Sequence, residues 1–111
     1  KVGDENPAVL ENGVVITPPG YKEVYKKFIE DGWTSLSCDP KYGGQGMPKT
    51  VSAFFDEMLS SASLSFKLYS ELSIGAYNCI SHHASDSIKN KFLPKMVEGK
   101  WSGTMCLTEP V

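Results

Sequence analysis

Apolar residues recur at helical spacing along most of the chain, and the segments between them are rich in glycine, proline and serine. The first clear run is 21–29, where apolar side chains fall at i, i+3, i+4, i+7 and i+8. Pro18, Pro19 and Gly20 precede this run, and Gly32 follows it in a position suited to ending a helix. The pattern predicts an amphipathic helix between these breakers.

Three further helices are predicted downstream. One begins at Pro48, a residue suited to the first helical turn, and carries its apolar residues on one face. The next lies in 60–81 and is rich in serine and alanine, so we expect it to be buried between closely packed neighbours. The last follows an N-cap at Ser85, and Pro94 should interrupt it before a final turn. The fold class is therefore mainly α, a bundle of about four main helices.

The first part of the chain lacks a helical period. Residues 1–17 contain Gly3, Pro7, Asn12 and Gly13 and are predicted to form a loop or tail that ends in an isolated extended piece. The helical unit would then span 18–99.

The end of the chain has the period of a strand. Trp101, Gly103, Met105 and Leu107 alternate with serine, threonine and cysteine, which predicts an extended segment with two unlike faces. No other segment offers a convincing pairing partner. We therefore expect 100–111 to be a truncated strand whose partner lies outside this sequence.

Composition narrows the functional classes. With 111 residues, 41% hydrophobic, the chain can form one core, and its 11 basic residues are all lysine, at a net charge of −2. Without a guanidinium group for bidentate phosphate contacts, nucleic acid is not an expected partner. No apolar run reaches the roughly 18 to 20 residues of a membrane span, and the first residues are too polar for a signal peptide. We expect a cytoplasmic protein.

Three kinds of site have little support. Cys38, Cys79 and Cys106 are scattered, which favours reduced thiols over disulfides or zinc ligands. His82 and His83 are adjacent and would point about 100° apart on a helix, so no metal site is predicted. The glycines in 43–46 lack the lysine and serine of a phosphate-binding loop and are predicted to serve turns.

Several segments in one order resemble the acyl-CoA dehydrogenase family. Within 14–111 they are Gly32-Trp33, Tyr42-Gly43-Gly44-Gln45-Gly46, Glu57-Met58-Leu59, Lys91-Phe92-Leu93-Pro94-Lys95-Met96 and Gly99 to Pro110, which includes Cys-Leu-Thr-Glu-Pro. The motifs are most similar to those of the 3-methylmercaptopropionyl-CoA dehydrogenase-like branch. The resemblance implies an N-terminal helical domain that runs into the first strand of a middle β-domain.

This resemblance also implies a chemistry. Family members oxidise an acyl-CoA thioester to the trans-2-enoyl-CoA: a glutamate removes the α proton while the β hydrogen leaves as hydride to N5 of FAD. The glutamate lies far downstream in the family, so no catalytic residue is predicted in this chain, and Glu109 is not expected to be the base. We expect the chain alone to be inactive.

Flavin-side residues follow from the Thr-Glu-Pro motif. By resemblance, Met105, Cys106, Leu107 and Thr108 lie along the flavin ring, with Thr108 as a hydrogen-bond donor to its N5 and pyrimidine side. From periodicity alone, the same residues would be an ordinary strand that alternates between core and solvent.

The acyl pocket is expected on the small-residue helix. By resemblance, Phe66, Tyr69, Ser70 and Ile74 face or border it, and the two aromatic rings would favour a short or medium acyl group. The alternative is that these are plain core residues. One departure from the family pattern is Ser63, which stands where aspartate or asparagine is usual. This leaves the geometry of the local helix cap open.

The implied partners are acyl-CoA, electron-transfer flavoprotein or a similar acceptor, and further copies in a homodimer or homotetramer. A second hypothesis needs none of these. A non-catalytic α-helical module could instead bind another protein through exposed apolar surface, with the terminal strand adding to a partner's sheet.

Overall fold

The computed structural model describes residues 2–106. A single turn α1 (Val2–Glu5) precedes an antiparallel hairpin of strands β1 (Val9–Glu11) and β2 (Val14–Ile16), and the helices α2 (Tyr21–Glu30), α3 (Lys49–His83) and α4 (Asp86–Val97) follow. Short 3-10 turns at Trp33–Ser35 and Pro40–Tyr42 connect α2 to α3. The predicted mainly α, helical architecture is confirmed.

Helix α3 is broken at Ser63, so the two helices predicted in this stretch form one long element with two halves. Ser63 has an extended backbone, with φ −163° and ψ 96°, between helical residues on both sides. Its Oγ accepts a hydrogen bond from the backbone N–H of Phe66 at 3.4 Å, which is the bond an N-cap residue makes. Ser63 therefore caps the second half of α3, and the first half ends just before it.

The prediction of a loop for the first seventeen residues was wrong in one respect, because residues 9–16 form a hairpin. Asn12 and Gly13 have φ values of 51° and 77°, and strands β1 and β2 pair across them in the register Val9 to Ile16. Positive φ at both central residues suits the twist of a two-residue hairpin turn, and Asn-Gly is its strongest sequence signal. The extended piece at 14–16 is thus paired, not isolated.

The buried core lies between the second half of α3, helix α4 and the loop after α2. It contains Cys38, Tyr77, Leu93, Met96 and Val97, and the Leu93 side chain is fully buried. This core also explains an error in the sequence-based prediction for Pro94, which lies inside α4 without interrupting it. Burial of Leu93, Met96 and Val97 around Pro94 offsets the missing backbone bond.

A second cluster, made of aromatic rings, joins α2 to both halves of α3. The ring centroid of Phe28 lies 6.0 Å from that of Phe55 in the first half and 5.5 Å from that of Phe66 in the second. Trp33 stacks on Phe55 with centroids 4.4 Å apart. The expectation that the small-residue helix is buried holds only in part, since Phe66, Ser70 and Tyr77 are buried whereas Leu64 and Leu68 are exposed.

The segment after α4 is held against the helices without forming a strand. The N–H groups of Lys100 and Trp101 both donate to the carbonyl of Lys95, at 3.0 and 3.1 Å. Residues 102–106 have no strand partner within the described range. The truncated strand, whose pairing partner was expected outside this sequence, stays a prediction. Residues 107–111, and with them Leu107 and Thr108, lie outside the described residues.

Across residues 2–106, no helix has both the length and the apolar character required to cross a bilayer.

Candidate functional site

Helix α3 and the segment after α4 approach closely at Gly103. The Gly103 N–H donates to Ser73 Oγ at 3.1 Å. A Cβ atom at Gly103 would overlap the side chain of Ala76 and lie 3.1 Å from the Leu72 carbonyl oxygen, so a larger residue could not approach in this way. This contact fixes the position at which the following residues cross α3.

Beyond Gly103, Met105 and α3 enclose a depression of about 380 Å³, here called the outer depression. It is lined by Asp56, Glu71, Leu72, Ile74, Gly75, Asn78 and Met105. Met105 was predicted on the flavin side and Ile74 on the acyl side. The fold therefore places one predicted residue of each kind in the same depression.

Next to the outer depression, and sharing Asp56, Glu71 and Ile74 with it, lies a narrow space, the inner slot, between the two halves of α3 and the 3-10 turn at Trp33–Ser35. Its free volume is only about 20 Å³, and Ser70 and Ile74 are part of its lining. Ser70 is buried, and its hydroxyl donates to the Lys67 carbonyl at 3.1 Å. The Ser70 hydroxyl is thus already bonded to its own helix.

The other two predicted acyl residues lie elsewhere. Phe66 is buried in the aromatic cluster and borders a separate apolar groove of about 550 Å³ between α2 and the first half of α3. Tyr69 is exposed and lines another depression, together with Tyr25 and residues 99–100 and 102–104. The four residues predicted for the acyl pocket are therefore distributed over several surfaces, and only Ser70 and Ile74 share a lining.

Of the four residues predicted to lie along the flavin, two are within the range that the structure describes. Met105 and Cys106 are exposed, and Cys106 is a free thiol. Met105 lies over α3 beside Leu72 and Ile74, so its thioether offers an apolar, polarisable surface against which a flat aromatic ring could pack. The assignment of these two residues to the flavin side stays a prediction.

The glycine loop serves the fold, as its turn chemistry predicted. Gly43 and Gly46 have φ values of 92° and 66°. The N–H of Gly44 donates to the Asp39 carbonyl at 3.0 Å, and that of Gly46 to the Cys38 carbonyl at 2.9 Å. Since these donors are bonded within the loop, they are not arranged to hold a phosphate group.

The buried core contains two titratable side chains, Cys38 and Tyr77. Burial raises the pKa of the Cys38 thiol from its ordinary 9.0 to about 11, although a hydrogen bond with Tyr77 acts in the opposite direction. Burial also raises the pKa of Tyr77, whose hydroxyl accepts the Asp39 N–H at 2.9 Å. A thiol that is protonated at neutral pH is a poor nucleophile, so Cys38 has a structural role.

The two histidines lie in the last turn of α3. The His82 ring Nδ1 lies 2.8 Å from the Asn78 carbonyl, one turn earlier in α3. Among the residues that the structure describes, no group of three side chains is arranged to ligate a metal ion.

Comparison with known families identifies the fold. The family model described as "Acyl-CoA dehydrogenase, N-terminal domain" matches residues 11–100. The chain belongs to this family. The resemblance drawn from separate motifs is thereby confirmed.

Characterised relatives of this acyl-CoA dehydrogenase N-terminal domain are similar along most of its length. It is 47% identical to 3-methylmercaptopropionyl-CoA dehydrogenase from Ruegeria pomeroyi, over 98% of this chain and 18% of that protein. It is 43% identical to a butyryl-CoA dehydrogenase from Syntrophomonas wolfei, over 86% of this chain and 16% of that protein. A broad-specificity linear acyl-CoA dehydrogenase from Mycobacterium tuberculosis is 31% identical over 97% of the chain and 18% of its own length. The chain thus spans less than a fifth of these relatives.

Sequence reasoning missed the charged lining of the domain's outer depression and inner slot. Asp56, Lys67 and Glu71 were not selected, although Lys67 and Glu71 are four residues apart and share a helix face with Ser70 and Ile74. The spacing of Lys67 and Glu71 was a readable signal. Spacing gives no such signal for Asp56, which lies on the other side of Ser63 from Lys67 and Glu71.

Proposed function

We propose that this chain forms one wall of the acyl and flavin site of an FAD-dependent acyl-CoA dehydrogenase, which converts an acyl-CoA to the trans-2-enoyl-CoA. The observation that carries the proposal is the outer depression, where Met105 and Ile74 meet within a fold of the acyl-CoA dehydrogenase N-terminal family.

In this proposal, the chain positions groups and does not carry the base. Ile74 and Leu72 supply apolar surface for the acyl group, while Met105 and Cys106 lie along the cofactor and Thr108 donates a hydrogen bond to it. FAD, when bound, would accept the hydride. The glutamate that removes the α proton belongs to another part of the parent protein, so the chain alone would be inactive.

The substrate is proposed to be a short acyl-CoA. The names of two relatives, 3-methylmercaptopropionyl-CoA dehydrogenase and butyryl-CoA dehydrogenase, indicate short acyl groups for those proteins. Cytoplasmic location, electron-transfer flavoprotein or a similar acceptor, and assembly into a homo-oligomer belong to the same proposal.

The test uses the full-length parent protein. We expect the purified protein to show flavin absorbance and to reduce an artificial electron acceptor only when acyl-CoA is added. Thr108→Val should lower kcat about tenfold or more, because loss of a donor to the cofactor's charge removes stabilisation of the transition state. A full-length protein that is colourless and inert with every acyl-CoA would contradict the proposal.

A second candidate is the interaction module. It is favoured by the exposure of Phe54 and Met58 on the first half of α3, a surface suited to packing against another protein. The same experiment separates the two functions, since the module predicts no flavin and no oxidation of acyl-CoA.

A further inference from the structure

The segment that follows α4 leaves that helix from a fixed starting point. The N–H groups of Lys100 and Trp101 donate to one carbonyl in the last turn of α4, at 3.0 and 3.1 Å, and the Trp101 ring lies 5.6 Å from that of Phe92. These contacts hold the beginning of the segment. Met105 and Cys106, which are predicted to lie along the flavin, follow four and five residues after Trp101. Their position therefore depends on a contact further along the chain.

That contact is the hydrogen bond from the Gly103 N–H to Ser73 Oγ, at 3.1 Å. It joins the segment to the second half of α3 across 30 residues of sequence. Ser73 stands between Leu72 and Ile74, which line the outer depression, and Met105 lines the same depression two residues beyond Gly103. The bond thus lies beside the place where the predicted acyl-side and flavin-side residues meet.

Glycine at position 103 is required by space and not by backbone conformation. Gly103 does not have the positive φ that Gly99 has, at 70°. A Cβ atom at Gly103 would overlap the Ala76 side chain and lie 3.3 Å from Ser73 Cα. Ser73 and Ala76 are three residues apart on one helix face, so two small side chains and a glycine let the backbone of the segment touch α3. The Ser73 hydroxyl and Gly103 together form one contact, here called the latch.

The latch limits how far the following residues can move. A chain advances by at most about 3.3–3.6 Å per residue, so Met105 stays within about 7 Å of Gly103. A segment that lifted from α3 at Gly103 would carry Met105 with it. Misplacement by about 1 Å, even from a change far from the chemistry, can lower a rate about a hundredfold. A hydrogen bond that fixes this segment is therefore expected to affect the rate, although its own atoms do not react.

We propose that the latch of Ser73 and Gly103 positions the flavin-side segment for the reaction. The inference rests on the proposed function. It makes Ser73 a positioning residue, which acts through Met105 and Cys106 and contacts neither the acyl group nor the cofactor. Two substitutions test this role, since alanine removes the hydrogen-bond acceptor at position 73, whereas cysteine keeps nearly the same size and is a weaker acceptor.

The contact itself is tested by hydrogen exchange of residues 102–106 in the full-length protein, followed by mass spectrometry. Ser73→Ala should speed exchange at Gly103 about fivefold, because one hydrogen bond is lost, and Ser73→Cys should have a smaller effect. Ser81→Ala is the matched control, since the Ser81 hydroxyl lies on the same helix and donates to the Asn78 carbonyl at 3.0 Å. Unchanged exchange in both Ser73 variants would overturn the latch.

The positioning role is tested by kinetics and by the spectrum of the bound flavin. In Ser73→Ala, kcat with butyryl-CoA should fall about tenfold while KM changes by less than about twofold, because the latch does not bind substrate. The visible absorption bands of the flavin should shift as the neighbouring segment moves. Gly103→Ala should cause the same changes and add little to Ser73→Ala, since both open one contact. Ser81→Ala should keep the wild-type kcat and spectrum.

Two kinds of failure are distinguishable. A wild-type protein that is colourless and inert with every acyl-CoA would contradict the proposed function. A wild type that contains flavin and is active, with Ser73 variants that keep its kcat and spectrum, would overturn the positioning role alone. If Ser73→Ala does not fold, Ser73→Cys decides both measurements.

Discussion

The two halves of α3 have similar apolar periodicity and very different surroundings. In the second half, Phe66 and Tyr77 are buried against α2, α4 and the glycine loop. In the first half no residue is buried, and Phe54 and Met58 are 62% and 63% exposed. An apolar stripe thus indicates which face of a helix can be buried, but burial itself depends on a neighbouring element that reaches that face.

The largest effect is expected where the second half of α3 packs on α4. Leu93→Ala should lower the free energy of unfolding by about 2–5 kcal/mol, because the side chain is fully buried and its removal leaves a cavity. Urea unfolding followed by circular dichroism measures the change. Ile88→Ala on the same helix is the control, and its exposed side chain should cost less than about 1 kcal/mol. Equal losses would contradict the assignment of the core.

A second prediction concerns the glycine loop that covers this core. In Gly44→Ala the new Cβ would overlap the Cys38 carbonyl oxygen, so we expect a loss of about 1–3 kcal/mol or more in unfolding free energy. The control is Gly75→Ala in α3, where a Cβ meets nothing within 4 Å. Alanine is the better helix former there and should stabilise the chain by about 0.5–1 kcal/mol. A neutral Gly44→Ala would show that the loop can move away from Cys38.

The buried thiol makes a prediction about pH. Folding raises the pKa of Cys38 from its ordinary 9.0 to about 11, so the unfolded chain ionises first as the pH rises. The contribution of this thiol to the free energy of unfolding is therefore complete below pH 9 and is lost as the pH rises through about 11. The urea midpoint of unfolding should therefore fall as the pH rises across this range. In Cys38→Ala the midpoint should fall less over the same pH range. Replacing the exposed Cys79 should leave the slope unchanged.

The smallest effect on stability is expected in the first half of α3. Replacing Phe54 and Met58 together by serine should change the free energy of unfolding by less than about 0.5 kcal/mol per site, since both side chains already contact water. The same variant should reduce self-association of the isolated chain, as measured by light scattering, because it removes exposed apolar surface. Lys22→Ser on α2 is the control. A wild-type chain that stays monomeric at high concentration would contradict this prediction.

Much of the helical fold could be predicted from local pattern. The helix after Gly20, the end near Gly32 and the N-cap position of Ser85 all follow from short-range sequence signals. Continuity through Pro94 could not be predicted, since the buried neighbours that stabilise it come from other elements. The hairpin at Asn12 has a signal in its turn residues, but strands of three residues are too short to show a two-residue period.

In the candidate site, too, some residues could be predicted from the sequence and others could not. Motif resemblance selected Ile74 and Met105, which the fold brings to one depression. It also selected Phe66 and Tyr69, which the structure places on other surfaces, and it did not select Glu71. Side chains on one helix face can be grouped by spacing, whereas the cavity that each one lines depends on how α3 bends and on where the following segment crosses it.

By itself, the sequence determined the family, the helical segments, the turn glycines and the faces on which apolar residues collect, because these depend on local backbone preferences and on short motifs. The tertiary structure decided which half of α3 is covered, that Ser63 caps its second half, and that Asp56 and Glu71 line the same depression. Those outcomes require contacts between residues distant in the chain, and their free energy comes from burial and pairing that no local pattern specifies.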